Sequence, residues 1–186
     1  MLGLFMIMPV FALYEQQLPH ATPMLMGLAL GVYGLTQSLL QIPFGMLSDR
    51  IGRKPVIFAG LLIFALGSLV AAYADSIYGI ILGRALQGCG AIASALMALA
   101  ADLSSEEHRT KMMALIGASI GVAFAASMVV GPMLNEWIGI SGIFACTAVL
   151  ALIGIAILYL IVPNPLQTQF HRDAEVQSGA LMDVLR

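Results

Sequence analysis

Charge is scarce in this chain. Asp, Glu, Lys and Arg make up 10% of its 186 residues, where a soluble domain carries roughly 25%. That shortage excludes a water-soluble globule of this size, because too little polar surface exists to cover one. Basic residues are scarcer still: eight, for a net charge of −2. No basic face can form to neutralise phosphates, so nucleic acid is excluded as a partner. Cysteine occurs twice, at Cys89 and Cys146, each inside an apolar run. Both read as small buried hydrophobes rather than a disulfide or a metal pair. Also missing are a metal-ligand cluster, a nucleophile elbow and a phosphate-cradling loop between strand and helix. The polar stretches are too short to hold an active site. Neither enzymatic activity nor a cofactor or metal is expected.

What is present is apolar: 60% of the residues are hydrophobic, and membrane spans account for them. Six segments can be drawn. Span 1 runs from Met1 to about Leu18 and is bent by Pro9. Its opening, "MLGLFMIMPVFALY", has no basic region and no small-residue cleavage site, so it is not read as a signal peptide. At about 14 apolar residues it falls short of the ~17–25 that a span needs. The chain is therefore expected to begin inside its first span, with Met1 internal to a longer frame. Span 2 runs from about Pro23 to Ser48, with Thr22 as its cap and Pro23 in its first turn. Span 3 runs from Pro55 to about Ala74. Span 4 runs from near Asp75-Ser76 to near Asp102. Span 5 opens at "SSEE", where Ser104 and Glu107 have capping-box spacing, and ends near Glu136. Span 6 is about Ser141 to Val162. No strand-length stretch alternates with period two, so a β-barrel is not expected.

The bases orient the spans. Seven of the eight fall on one side: Arg50, Arg53, Lys54, Arg109, Lys111, Arg172 and Arg186. The opposite loops carry Glu15, His20, Asp75 and Glu136 instead. The positive-inside rule puts the basic side, and both ends of the chain, in the cytoplasm. Residues 163–186 read as a polar cytoplasmic linker with a short amphipathic end.

The eighth base, Arg84, lies about 12 Å inside span 4 at 1.5 Å per residue. At that depth it costs several kcal/mol unless paired or watered, so it is expected to face the bundle interior or a wet cavity. Gln87 shares its face. In span 2, Tyr33, Gln37 and Gln41 recur every four residues and form one polar stripe. The stripe either lines a substrate path or bonds neighbouring helices together. Gly27 and Gly31, Gly79 and Gly83, and Gly117 and Gly121 have the spacing that lets helix backbones approach. Gly131-Pro132 is expected to kink span 5 and to serve as a hinge or a plain bend. No carboxylate and no histidine lies near the middle of a span.

Between spans 2 and 3 stands "GMLSDRIGRKP". Arg50, Arg53 and Lys54 suit the end of a helix dipole and the headgroup layer. Gly52 permits the turn and Pro55 restarts a helix. Asp49 is the residue that orientation alone does not explain.

These residues carry a resemblance. Gly45, Asp49, Arg50, Gly52, Arg53 and Lys54 match the G-x3-D-[RK]-x-G-[RK]-[RK] signature of the major facilitator superfamily of transporters, on the expected loop. Arg84, Gln87 and Gly88 resemble its R-x-x-Q-G motif. Ser127, Gly131 and Pro132 resemble part of its antiporter motif, although Ser127, Leu134 and Asn135 stand where glycines are expected. In detail the chain is most similar to bacterial drug:proton antiporters of that superfamily. The resemblance implies an all-α integral membrane fold: six transmembrane helices in two three-helix repeats, one half of a twelve-helix transporter. Residues 1–162 would form that half, and the linker would lead to a missing second half. It implies that Arg53 pairs with Asp102 while Asp49 faces the other half, together a conformational latch. It places Arg84, Gln87 and Gly88 near a proton pathway. The expected function is proton-coupled export of a small drug-like or metabolite molecule across a bacterial inner membrane. The expected partners are lipid, substrate and protons. An uptake carrier for a metabolite, or a non-transporting membrane scaffold, are the rival readings.

Overall fold

A computed structural model describes residues 2–13 and 22–163. Its elements are all helical: α1 (Leu2–Leu13), α2 (Pro23–Ile51), α3 (Arg53–Ala72), α4 (Ile77–Cys89), α5 (Ala93–Asp102) and α6 (Glu106–Leu160). The loop with Glu15 and His20, and the linker with Arg172 and Arg186, lie outside the described residues.

Local chemistry sets several ends. Thr22 accepts a hydrogen bond from the Leu25 amide at 3.3 Å and caps α2, with Pro23 behind it. Gly52, at φ 98°, both closes α2 and opens α3, a backbone that favours glycine. Ser76 caps α4 through the Gly79 amide. The capping box expected at Ser104 does not form. Ser104 Oγ donates back to the Ala100 carbonyl at 2.6 Å, so it still belongs to the end of α5, and Ser105 is the N-cap of α6.

Two of the expected spans and joints carry a break of their own. Span 4 keeps its expected extent but is broken inside: the helix stops at Cys89 and restarts at Ala93. Gly88 and Gly90 weaken it there, since each costs about 1 kcal/mol relative to alanine inside a helix. Spans 5 and 6 part where expected, between Glu136 and Ser141, at a kink rather than a loop. At 55 residues, α6 is more than twice the length that crosses a 30 Å hydrocarbon core. One residue divides it: Gly139, at φ 66° and ψ −179°. The backbone stays helical through Gly131 and Pro132.

The arm before Gly139 packs on α1, with Phe5 against Phe124 edge-on at 5.2 Å. The arm after it runs antiparallel to α3. Its start, at Ile140, Ile143 and Phe144, clusters with Ala71 and Ile77, and its end, at Leu158, clusters with Val56 and Ile57. In order, α1, α2, α3, the broken α4–α5 unit and the two arms of α6 make six helical stretches among the described residues. Four stretches, α2, α3, Ile77–Asp102 and α6, are long and apolar enough to cross a membrane.

Lipid tails are as apolar as leucine, so close packing rather than water holds such helices together. The seam between α3 and α4 shows this. Gly60 and Gly67 on one side meet Gly83 and Gly90 on the other, and a Cβ on Gly67 would lie 2.5 Å from the Gln87 nitrogen. The other small-residue pairs behave differently. A Cβ on Gly27, Gly31, Gly117 or Gly121 would meet nothing within 4 Å. Their faces of α2 and α6 look away from this bundle, so they seat no helix among the described residues. Large apolar side chains point outward on the same helices, Leu39, Ile42 and Val122 among them. Tyr73, Tyr78 and Trp137 are exposed at the end away from the bases, where an aromatic belt meets the headgroups.

Candidate functional site

Three groups of polar side chains interrupt the apolar bundle. The first lies at its basic end. Arg53 opens α3, so its guanidinium can reach back to α2 and across to α5. Its Nε donates to Asp102 Oδ2 at 3.0 Å and its NH1 to Ser48 Oγ at 2.8 Å. NH1 also pairs with Asp49, one turn earlier in sequence. Asp49, expected to face the other half as a member of the latch, has this partner within its own motif. It remains the most open member, with 61% of its side chain exposed against 19% for Arg53. Gly45 faces α5, where Ser94 donates to the Gln41 carbonyl at 3.0 Å. Arg50 is exposed in the last turn of α2. Lys54 Nζ donates to the Val162 carbonyl just past the end of α6. That contact spans 108 residues, and nothing in the spacing of the chain announces it.

The second group is buried. Arg84 is 1% exposed, so it does not snorkel. Its Nε donates to the Ala29 carbonyl at 3.3 Å, and its NH1 to Gln87 Oε1 at 2.9 Å. Its guanidinium carbon stands 4.3 Å above the centre of the Tyr33 ring. A cation over a desolvated ring gains about 2 kcal/mol, which helps offset burial. Gln87 continues the chain, donating from Nε2 to Ser68 Oγ at 2.7 Å. Ser68, on α3, has no signature in the sequence beyond being a lone hydroxyl in an apolar run. Gly88 lets α4 lie directly on α2, since a Cβ there would collide with Thr36 and the Tyr33 carbonyl.

The third group is a cavity of about 130 Å³ beside the break between α4 and α5. Tyr33 and Gln37 line it with Leu61, Phe64, Ile92 and Leu96. The polar stripe of α2 therefore divides. Tyr33 and Gln37 face the cavity, Tyr33 also carries Arg84, and Gln41 is not in the lining. In the arm of α6 before Gly139, Gly131 meets the Met6 carbonyl, which a Cβ would approach to 2.7 Å. Ser127 is buried with its Oγ donating to Ala123 O at 2.6 Å.

A bundle of helices long and apolar enough to cross a membrane, with an arginine at its core and its helices tied by ions at one end, defines a polytopic membrane protein with polar groups inside. The chain belongs to the Major Facilitator Superfamily, whose profile matches residues 1–181. It is 52% identical over 185 residues to the inner membrane transport protein YajR of Escherichia coli (strain K12), an alignment covering 100% of this chain and 41% of that one. An uncharacterized transporter of Buchnera aphidicola subsp. Schizaphis graminum is 44% identical over 164 residues, covering 88% of this chain and 42% of its own. The class B tetracycline resistance protein of Escherichia coli is 30% identical over 138 residues, covering 73% and 34%. The chain thus spans about two fifths of the first two relatives' length.

Proposed function

We propose that this chain is the N-terminal half of a secondary active transporter that exports small drug-like or metabolite molecules in exchange for protons, by alternating access. The basic end faces the cytoplasm of a bacterial inner membrane, and residues 163–186 lead toward a second six-helix half. The observation that carries the reading is the cluster at Arg53, where one guanidinium joins α2, α3 and α5 through Asp49, Ser48 and Asp102. Partly exposed ion pairs contribute about 0–1 kcal/mol each. A lock of that strength holds a gate closed yet opens when substrate or a proton favours the other state by a similar amount. Substrate meets this half near Tyr33 and Gln37, and the buried Arg84, Gln87 and Gly88 serve the proton-linked step. An uptake carrier of the same superfamily is the second reading, favoured by the buried Ser127 where the antiporter motif calls for glycine.

The test is flux of a panel of fluorescent lipophilic dyes in vesicles carrying the full-length transporter under an imposed pH gradient. Export predicts dye movement against the proton flow, lost when an ionophore collapses the gradient. Asp49→Asn and Asp102→Asn should each slow it by up to about fivefold, the equivalent of about 1 kcal/mol, at unchanged membrane levels. Equal rates in wild type and both variants would rule out the latch. Gradient-driven movement in the opposite sense would establish uptake.

A further inference from the structure

We propose that Ser68 is a positioning residue for Arg84, acting through the amide of Gln87. Ser68 is fully buried on α3. Its Oγ donates to the Phe64 carbonyl at 2.8 Å, the back-bonding common for serine within a helix. The hydroxyl hydrogen is thereby used, and only lone pairs face α4. They accept Gln87 Nε2 at 2.7 Å. The nitrogen of the amide is fixed on the Ser68 side, so its oxygen must lie on the other. There Oε1 takes Arg84 NH1 at 2.9 Å. Arginine has donors only. A reversed amide would set donor against donor at Arg84 and lone pair against lone pair at Ser68. The three side chains thus form one directed chain, Arg84 to Gln87 to Ser68 to the Phe64 carbonyl, that runs from α4 into α3.

The same chain fixes the guanidinium in space. Held by Gln87 on one side and the Ala29 carbonyl on the other, it lies over Tyr33. Without Ser68 the amide nitrogen loses its acceptor between packed helices, where neither water nor lipid supplies another. The amide is then free to turn, and Arg84 loses Oε1. No hydrogen bond joins Ser68 to Arg84 directly among the described residues, so the effect passes through Gln87 alone.

Phenylglyoxal, a small arginine-selective reagent, tests it on the purified full chain in detergent, with adducts counted at each arginine by mass spectrometry. Arg84 should be protected and the exposed Arg50 reactive. Ser68→Ala should raise the Arg84 rate about tenfold, as expected for the loss of one buried hydrogen-bond partner, with the Arg50 rate and the helical circular dichroism unchanged. In a Gln87→Met background the same substitution should add nothing further. An Arg84 rate within about twofold of wild type overturns the proposal. So does a rise that persists without Gln87, which would assign Ser68 a packing role. If Ser68→Ala loses helicity, Ser68→Cys, similar in size and a weak acceptor, is judged by the same comparison.

Discussion

Arg84 shows what a single side chain demands of its surroundings inside a bilayer. Three different groups serve it: a backbone carbonyl, an amide oxygen and an aromatic face. All three suit a flat fork of donors, and lysine offers a point charge instead. Arg84→Lys should therefore fail as a conservative change. We expect it to lower the stability of the purified protein by about 1–3 kcal/mol, the cost of stranding buried partners, read as a fall in thermal midpoint. The inward turn of Arg84 and the face it shares with Gln87 were legible beforehand, because depth and helical spacing are properties of one segment. The Tyr33 ring and Ser68 were not. They reach Arg84 from other helices, and no local spacing encodes which face of α2 or α3 turns toward α4.

Among the elements, glycine sorts into two kinds. In the seam between α3 and α4 it is required by contact, since a Cβ on Gly67 would press on the backbone of Gln87 and Gly83. On the outward faces of α2 and α6 a Cβ meets nothing within 4 Å. Gly67→Ala should destabilise the chain by about 1–3 kcal/mol through forced separation of the helices. Gly117→Ala should change it by no more than about 1 kcal/mol in the favourable direction, the helix-propensity gain alone. Thermal unfolding of the two variants side by side checks the contrast. The sequence spacing marked Gly27, Gly31, Gly117 and Gly121 as readily as Gly83, because spacing reports what a helix can seat and not whether a neighbour sits there. The break at Gly90 had a visible signal in the paired glycines of "QGCGAI". The reversal falls in the expected gap between Glu136 and Ser141, but nothing singled out Gly139 within it, since many glycines in this chain remain helical.

At the scale of the molecule, bases collect at one end, and three exposed aromatics mark the other. Arg50, Arg53, Lys54, Arg109 and Lys111 share the end where Asp102 closes the ionic cluster, while Tyr73, Tyr78 and Trp137 mark the opposite rim. Six apolar segments in order were readable from composition alone, because membrane thickness sets their length. In intact cells, a cysteine at Trp137 should react with a membrane-impermeant maleimide, with Cys89 and Cys146 replaced. Cysteines at Arg50 or Arg109 should react only after the membrane is opened. The reverse pattern would overturn the cytoplasmic placement of the basic end.

The turn at Gly139 also limits how the chain can change its length. An ordinary loop takes up an added residue as slack. Here one residue carries the whole reversal, and Ile140, Ile143 and Phe144 are buried directly behind it. A residue inserted after Gly139 and absorbed as helix would rotate everything that follows by about 100° and shift it by about 1.5 Å. That would turn Phe144 and Thr147 away from their contacts and carry Leu158 off Val56 and Ile57. Insertions should be tolerated instead between α3 and α4, around Asp75, where the chain is exposed and register is not at stake. The sharpest corner of the fold is therefore also its ruler, fixing how many residues the last two passages can hold.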